Sequence, residues 1–267
     1  MENLSPSTPI ITLTTDFGVS SRYVAAMKGV ILSLNPLARL VDLTHAVPAQ
    51  NIMAGAMALA ETVPHFPPQT IHLAVVDPGV GTGRQIIYAE IGNQQLVAPD
   101  NGLLGRLAAC NRPSKIIALT ASQFWRPHVS DTFHGRDIIA PVAAHLSLGL
   151  CPDDLGEPVD RLADLAWPEV HQVKNHIDGQ IVEIDSFGNL ITNITREMLA
   201  DVPTDETVTI HCNQHETQGI FKTYGNQPTR TLLALIGSSD LLELAIVDDN
   251  ASTMLGVGSG TSVRISW

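Results

Sequence analysis

"TIHLAVVDPGVGTGR", residues 70–84, decides the fold and raises the functional question. Residues 70–76 are too apolar for a strand with one wet face, and runs of that kind belong to parallel sheets covered on both sides. The chain then breaks into an acid, Asp77, a turn carrying Pro78, Gly79, Gly81 and Gly83, and a cation, Arg84. Pro and Gly supply the backbone angles of a reversal, so a plain turn is one reading. The other is a turn that holds a working carboxylate at a strand end and folds Arg84 back to clamp it. An exposed ion pair between the two would contribute little. "GVGTGR" (79–84) lacks the Lys-Ser/Thr ending of a phosphate-binding P-loop and fails as a dinucleotide fingerprint.

Strands and helices alternate outward from this stretch. "IITLTT" (10–15) and "LVDLTH" (40–45) read as strands, while "RYVAAMKGVILSLNP" (22–36), "NIMAGAMALAET" (51–62) and "RDIIAPVAAHLSLG" (136–149) read as helices. In the first helix Val24, Met27, Val30, Ile31 and Leu34 recur at helical spacing. From about 175 the rhythm changes to short strands divided by turns: "GQIVEI", "NLITNI", "ETVTIHC", "TQGIFKTY", "TLLALIG", "LELAIV" and "TSVRISW". The expectation is a layered α/β domain with a mostly parallel sheet over residues 1–160, a linker at 161–174 and a smaller all-β, barrel-like domain over 175–267.

The 267 residues are 44% hydrophobic and 16% charged, the balance of a folded globular chain. A net charge of −12 repels phosphate backbones and anionic lipid, so neither nucleic acid nor membrane is an expected partner. The start "MENLSPSTP" has no export signature, and no apolar run is long enough to span a bilayer. Cys110, Cys151 and Cys212 are an odd, scattered set, which fits reduced thiols and a cytoplasmic location.

Four apolar segments end in or beside an aspartate: Asp16, Asp42, Asp77 and Asp100. A single such residue is usually a cap or turn former. Four on one sheet edge, where α/β ligands bind, ask for something to offset their mutual repulsion, and Arg84 is the obvious candidate. "SDTFHGRD" (130–137) sets His134 before a helix, whose positive end would keep the imidazole neutral; a hydrogen-bonded cap is the plainer reading. No HExxH, paired His or Cys/His cluster marks a metal site, although an Asp/His site built from scattered strand ends would leave no local motif.

These stretches together resemble the S-adenosyl-L-methionine (SAM) hydrolases, also called SAM hydroxide adenosyltransferases, relatives of fluorinase and chlorinase. The likeness runs through "TTDFG" (14–18), "MKGVILSLNP" (27–36), "VDLTH" (41–45), "VVDPGVGTGR" (75–84), "APDNGLLG" (98–105), "DTFHGRD" (131–137) and "DSFGNLITNI" (185–194). It implies an α/β domain followed by a β-barrel, and a homotrimer whose SAM site lies between one subunit's first domain and a neighbour's second. It assigns water activation to Asp77, Arg84 and His134, the set that marks the water-using branch. It gives the ribose hydroxyls to Asp16 and the methionine ammonium to Asp185. Phe187 and Asn189 would line the adenine and methionine ends, and Ser238 and Ser239 would meet the methionine carboxylate. Tyr224 and Ala251 fall near adenine-binding segments, and Gln50 stands where halogenating relatives carry an aromatic residue over the ribose. Core packing is the plain reading of Phe187 and Tyr224. Ser20 and Ser21 replace an acid common in relatives.

The implied reaction is SAM plus water giving adenosine and methionine, with SAM as substrate and no cofactor or metal. Either His134 or Asp77 would take the proton, or Arg84 would stabilise hydroxide directly. A metal-dependent phosphoester hydrolase and a non-catalytic SAM or adenosine sensor are the alternatives.

Overall fold

A computed structural model describes residues 8–267. The chain divides into two compact units, the first ending at Ala166 and the second running from Trp167 to Trp267.

The first unit is a mixed α/β layer structure. Its strands are β1 (Ile10–Thr15), β2 (Arg39–Thr44), β3 (Ile71–Val75), β4 (Ile86–Ile91), β5 (Gln94–Pro99) and β6 (Pro113–Ala118). They form one sheet in the order β2-β1-β3-β5-β4-β6, in which β4 alone runs against its neighbours. Every residue of β3 is buried, as its unbroken apolar run requires. The helices are α1 (Arg22–Leu34), α2 (Ile52–Thr62), α3 (Gly105–Cys110) and α4 (Ala140–Ser147). Ser21 caps α1 by accepting the Tyr23 N–H, and Asn51 caps α2 through the Ala54 N–H. Val24, Met27 and Ile31 carry α1 into the core, whereas Val30 is half-buried and Leu34 is exposed.

The helix read over 136–149 begins differently from expectation. Residues Gly135–Ile139 form a π turn that leads into α4. Pro141 has no N–H to offer the carbonyl four residues back, and the Arg126 N–H takes that Asp137 carbonyl instead, at 2.9 Å. This bond ties the 126–137 loop to the start of the helix.

The second unit is a nearly closed, barrel-like sheet. It contains β7 (His171–Val173), which falls in the stretch read as a linker, β8 (His176–Ile184), β9 (Leu190–Thr195), β10 (Thr209–Cys212), β11 (His215–Gln218), β12 (Ile220–Phe221), β13 (Leu232–Ile236), β14 (Leu241–Ile246) and β15 (Ser262–Ser266), with the short helix α5 (Ala251–Leu255) before the last strand. The order is β11-β10-β15-β8-β9-β14-β13-β12, with β7 beside β8. "TQGIFKTY", expected as one strand, is two: Gly219 takes a φ of +77° between β11 and β12. Because only glycine adopts that angle readily, the break lets one segment pair with β10 and the next with β13, at the two ends of the sheet. The Thr217 hydroxyl donates to the Leu232 carbonyl across the remaining gap at 2.8 Å.

Candidate active site

In the first unit the site lies beyond the carboxyl ends of β1 and β3. Thr15 pairs with Val75 in parallel register, so Asp16 and Asp77 leave neighbouring strands at one edge. Beyond β3 the chain folds back through two successive turns, Val80 N–H to Asp77 O and Thr82 N–H to Gly79 O, at 3.2 and 3.1 Å. Only Gly81 among the three turn glycines needs its freedom: its φ is +78°, and a Cβ there would strike the Asp131 carbonyl. The same close approach packs the turn against the loop that carries His134.

The fold-back returns Arg84 to Asp77. The Arg84 Nε–H donates to both carboxylate oxygens at 2.9 Å, and Nη2 donates to Oδ2 as well. Side-chain exposures of 5% for Asp77 and 10% for Arg84 make this a buried pair, not a surface one. The second Nη2 hydrogen points to His134 Nδ1, 2.9 Å away. A guanidinium only donates, so Nδ1 accepts and the ring carries its proton on Nε2. Burial first, and the Arg84 charge second, hold the His134 pKa below its ordinary value of 6.5. His134 does stand at the start of the π turn, but its side chain makes no cap bond. Its neutrality comes from desolvation and the guanidinium.

The loop around His134 is anchored by a carboxylate that the sequence reading passed over. Asp137 is fully buried and accepts from Arg126 Nη1 (2.9 Å), Arg136 Nε (2.7 Å) and the Ser130 N–H (3.0 Å). Burial pushes its pKa up, but Arg136, Ser130 and Arg126 together outweigh that and hold it below the usual range. Phe133 stacks edge-on against both Phe17 and Tyr23, at 5.9 and 5.1 Å between ring centres, which joins this loop to the segment after Asp16. Asp16 accepts the Gln50 N–H at 2.8 Å, with Gln50 itself exposed at a φ of +64°. Ser21, which departs from the resemblance, is occupied as the α1 cap.

The other two aspartates have other partners, and Asp42, expected at a strand end, lies within β2 beside Leu13 of β1. Asp42 binds Lys28 Nζ at 2.6 Å, and Asp100 accepts the Ala163 N–H at 2.8 Å. Among the described residues no three His, Cys, Asp or Glu side chains gather as a metal's ligands would.

The second unit brings its own set together. Asp185 shapes the turn between β8 and β9 by accepting the Phe187 N–H (2.9 Å), the Asn189 N–H (2.8 Å) and Asn189 Nδ2 (3.0 Å). That turn leaves Phe187 76% exposed, which removes core packing as its explanation. Gly188 O accepts the Ser252 N–H at 2.9 Å and sets the turn against α5, whose first residue, Ala251, is wholly buried in the barrel core. Tyr224, 41% exposed, donates its hydroxyl to Glu243 Oε1 at 2.5 Å. Glu243 was missed in the sequence, although it is the lone charge in the buried strand "LLELAI" (241–246). Burial raises its pKa, the Tyr224 hydrogen bond opposes that, and the nearby Asp185 charge raises it further. Its Oε2 lies close against Gly237, at the base of the turn that carries exposed Ser238 and half-buried Ser239.

Comparison with known proteins agrees along the chain. Residues 11–156 match the SAM hydroxide adenosyltransferase N-terminal domain, and residues 179–264 match the C-terminal domain of the same family. The chain is 38% identical over 263 residues to an (R)-S-adenosyl-L-methionine hydrolase of Salinispora arenicola, covering 97% of this chain and 98% of that protein. It is 36% identical to the enzyme of that name from Thermus thermophilus, covering 94% and 97%. A fluorinase of an Actinoplanes species is more distant, at 26% identity over 70% of this chain and 72% of that one. An uncharacterized conserved protein from Thermotoga maritima superposes with a TM-score of 0.90 at 34% identity, covering 96% of this chain and all of that one. The chain belongs to the SAM hydroxide adenosyltransferase family.

Proposed function

We propose that this protein hydrolyses S-adenosyl-L-methionine: water attacks C5′, the C5′–S bond breaks, and adenosine, L-methionine and one proton are released. The sulfonium already makes the sulfur a good leaving group, since it departs as a neutral thioether. The catalytic task is therefore to hold one water in line with the C5′–S bond, and positioning of this kind contributes up to roughly 7–11 kcal/mol. The observation that carries the reading is the Asp77–Arg84–His134 constellation, in which one guanidinium of a shielded ion pair binds a carboxylate and a half-buried, neutral imidazole at once.

That geometry bears on the roles. The Nδ1 lone pair of His134 is taken up by Arg84, so the imidazole has no basic nitrogen left for the water. His134 instead offers Nε2–H as a donor, Arg84 fixes both partners, and Asp77, which has further lone pairs, receives the proton as the oxygen–carbon bond forms. Asp16 holds the ribose hydroxyls as a two-fold acceptor, with Gln50 beside it. In the barrel, Asp185 and the Ser238–Ser239 turn take the methionine end, Phe187 and Asn189 line the adenine and methionine ends, and Tyr224 and the Ala251 segment take the adenine end.

The relatives' name specifies an R configuration. The L descriptor already fixes the methionine α-carbon, so R refers to the sulfonium, and we assign the R epimer as the preferred substrate here. By the family resemblance the enzyme is a cytoplasmic homotrimer needing no cofactor, with the α/β part (1–160) supplying the water chemistry and the β part (175–267) of a neighbour supplying substrate contacts across a 161–174 linker. Among the described residues, no helix is long and apolar enough to cross a membrane.

Purified protein given each sulfonium epimer and followed by chromatography is the test. Adenosine and methionine in equal amounts, formed faster from the R epimer and unaffected by a chelator, support the reading. Tight nucleoside binding without methionine release would make the protein a sensor and overturn it.

A further inference from the structure

Beneath Asp16 runs a chain of polar contacts that the proposed reaction does not use. Lys28 Nζ meets Asp42 Oδ2 at 2.6 Å, and Asp42 Oδ1 lies 3.0 Å from His45 Nε2 in a close but angled contact. His45 Nδ1 meets Thr15 Oγ1 at 2.9 Å, and Thr15 is the residue before Asp16. The two inner members are buried, Thr15 fully and His45 to within 6%, while the outer members are 42% (Asp42) and 31% (Lys28) exposed. A buried threonine cannot act as a nucleophile on an outside substrate, so a catalytic triad is not what this is.

The same histidine also grips the far side of the loop. The His45 carbonyl accepts the Gly18 N–H at 2.8 Å, and five residues on, the Gln50 N–H binds Asp16 Oδ2 at 2.8 Å. Asp16 is thus held from below through Thr15, from its C-terminal side through Gly18, and at the carboxylate itself by Gln50. Two of these three restraints pass through His45, the Thr15 contact through its ring and the Gly18 bond through its backbone carbonyl, and His45→Ala removes the first alone. If Nε2 carries the proton facing Asp42, Nδ1 is left to accept the Thr15 hydroxyl hydrogen, and the Thr15 oxygen then accepts the Phe17 N–H at 3.3 Å. Nε2 itself has the Asp42 carboxylate 3.0 Å away but no aligned hydrogen bond, so its link to Asp42 is electrostatic.

We infer that His45 is a positioning residue that acts through Asp16, fixing the carboxylate for the substrate's sugar hydroxyls. This rests on the reading above, in which Asp16 binds the ribose. Bidentate acceptance of two vicinal hydroxyls depends on carboxylate orientation, and misplacement by about 1 Å costs up to about 10²-fold.

A double-mutant cycle of His45→Ala and Asp16→Ala, read as kcat/KM for SAM, tests it. His45→Ala in the native background lowers kcat/KM by about tenfold or more, mainly through KM, and in the Asp16→Ala background it changes kcat/KM by less than about twofold. An equal factor in both backgrounds assigns His45 a merely structural role and overturns the inference, as does no effect in the native background. Should His45→Ala not fold, Asp42→Asn at the exposed end of the brace runs the same cycle. Unmutated enzyme that forms no adenosine rejects the hydrolase reading itself, an outcome distinct from additivity in the cycle.

Discussion

Arg84 Nη2 lies 2.9 Å from His134 Nδ1, while the same guanidinium is locked to Asp77 through Nε. The contact exists only while His134 is neutral, because a protonated imidazole would turn an N–H toward a permanent cation. Burial and Arg84 hold its pKa below 6.5. Turnover therefore stays level as pH falls from 8 to about 6.5 and drops only below the ordinary histidine range. A pH profile of kcat decides this, and an acid limb at or above 6.5 would count against the arrangement.

Arg84→Lys keeps the charge and removes the fork. One ammonium cannot bind both Asp77 oxygens and His134 Nδ1 in the observed plane. Turnover should fall by about 10²-fold or more with KM for SAM changed by less than about threefold, the signature of an interaction used in the reaction and not in substrate binding. Steady-state kinetics on folded protein separates this from a binding defect.

Asp77→Ala leaves a guanidinium that is 90% shielded without its counter-charge, since Arg84 is only 10% exposed. Breaking one side of a buried pair costs about 3–5 kcal/mol, so urea unfolding of this variant should show a clear loss of midpoint. An unchanged midpoint would mean the pair is more solvated than its burial indicates.

A second histidine makes the stability of the first unit depend on pH. His72 is fully buried near the start of β3, bonded to Thr12 Oγ1 at 2.8 Å, with Gln94 Oε1 3.4 Å from its other nitrogen. Desolvation pulls its pKa down to about 4, with the Gln94 contact opposing. Between pH 4 and 6.5 the unfolded chain then binds a proton that the folded one refuses, so stability falls as pH drops through that window. The loss reaches about 3 kcal/mol near pH 4. His72→Gln should flatten this part of the stability curve, measured by denaturant titration at several pH values.

Local signals carried much of the fold. The unbroken apolar run of β3 called for a sheet covered on both faces, and the strand–helix rhythm around it is the one observed. β4 escaped because it runs antiparallel and joins β5 through a two-residue turn at Gly92–Asn93, a hairpin inside a pattern that reads as strand–helix alternation. The π turn escaped because it depends on which donor takes the Asp137 carbonyl that Pro141 leaves free, and that donor is the Arg126 N–H, eleven residues upstream of Asp137. Asp77 and Arg84 could be paired from seven residues of glycine-rich turn, but their burial could not. His134 is fifty residues from Arg84, and only the family likeness linked them. Glu243 and the His45 brace were hidden for the opposite reason: each looks ordinary until burial removes the water that would otherwise solvate it.

The central claim, that water held by Asp77, Arg84 and His134 attacks C5′, is tested most directly by running the reaction in ¹⁸O-labelled water and examining both products by mass spectrometry. The account predicts one heavy oxygen in the 5′-hydroxyl of adenosine and none in methionine. Unlabelled adenosine, or label appearing in methionine, would contradict it.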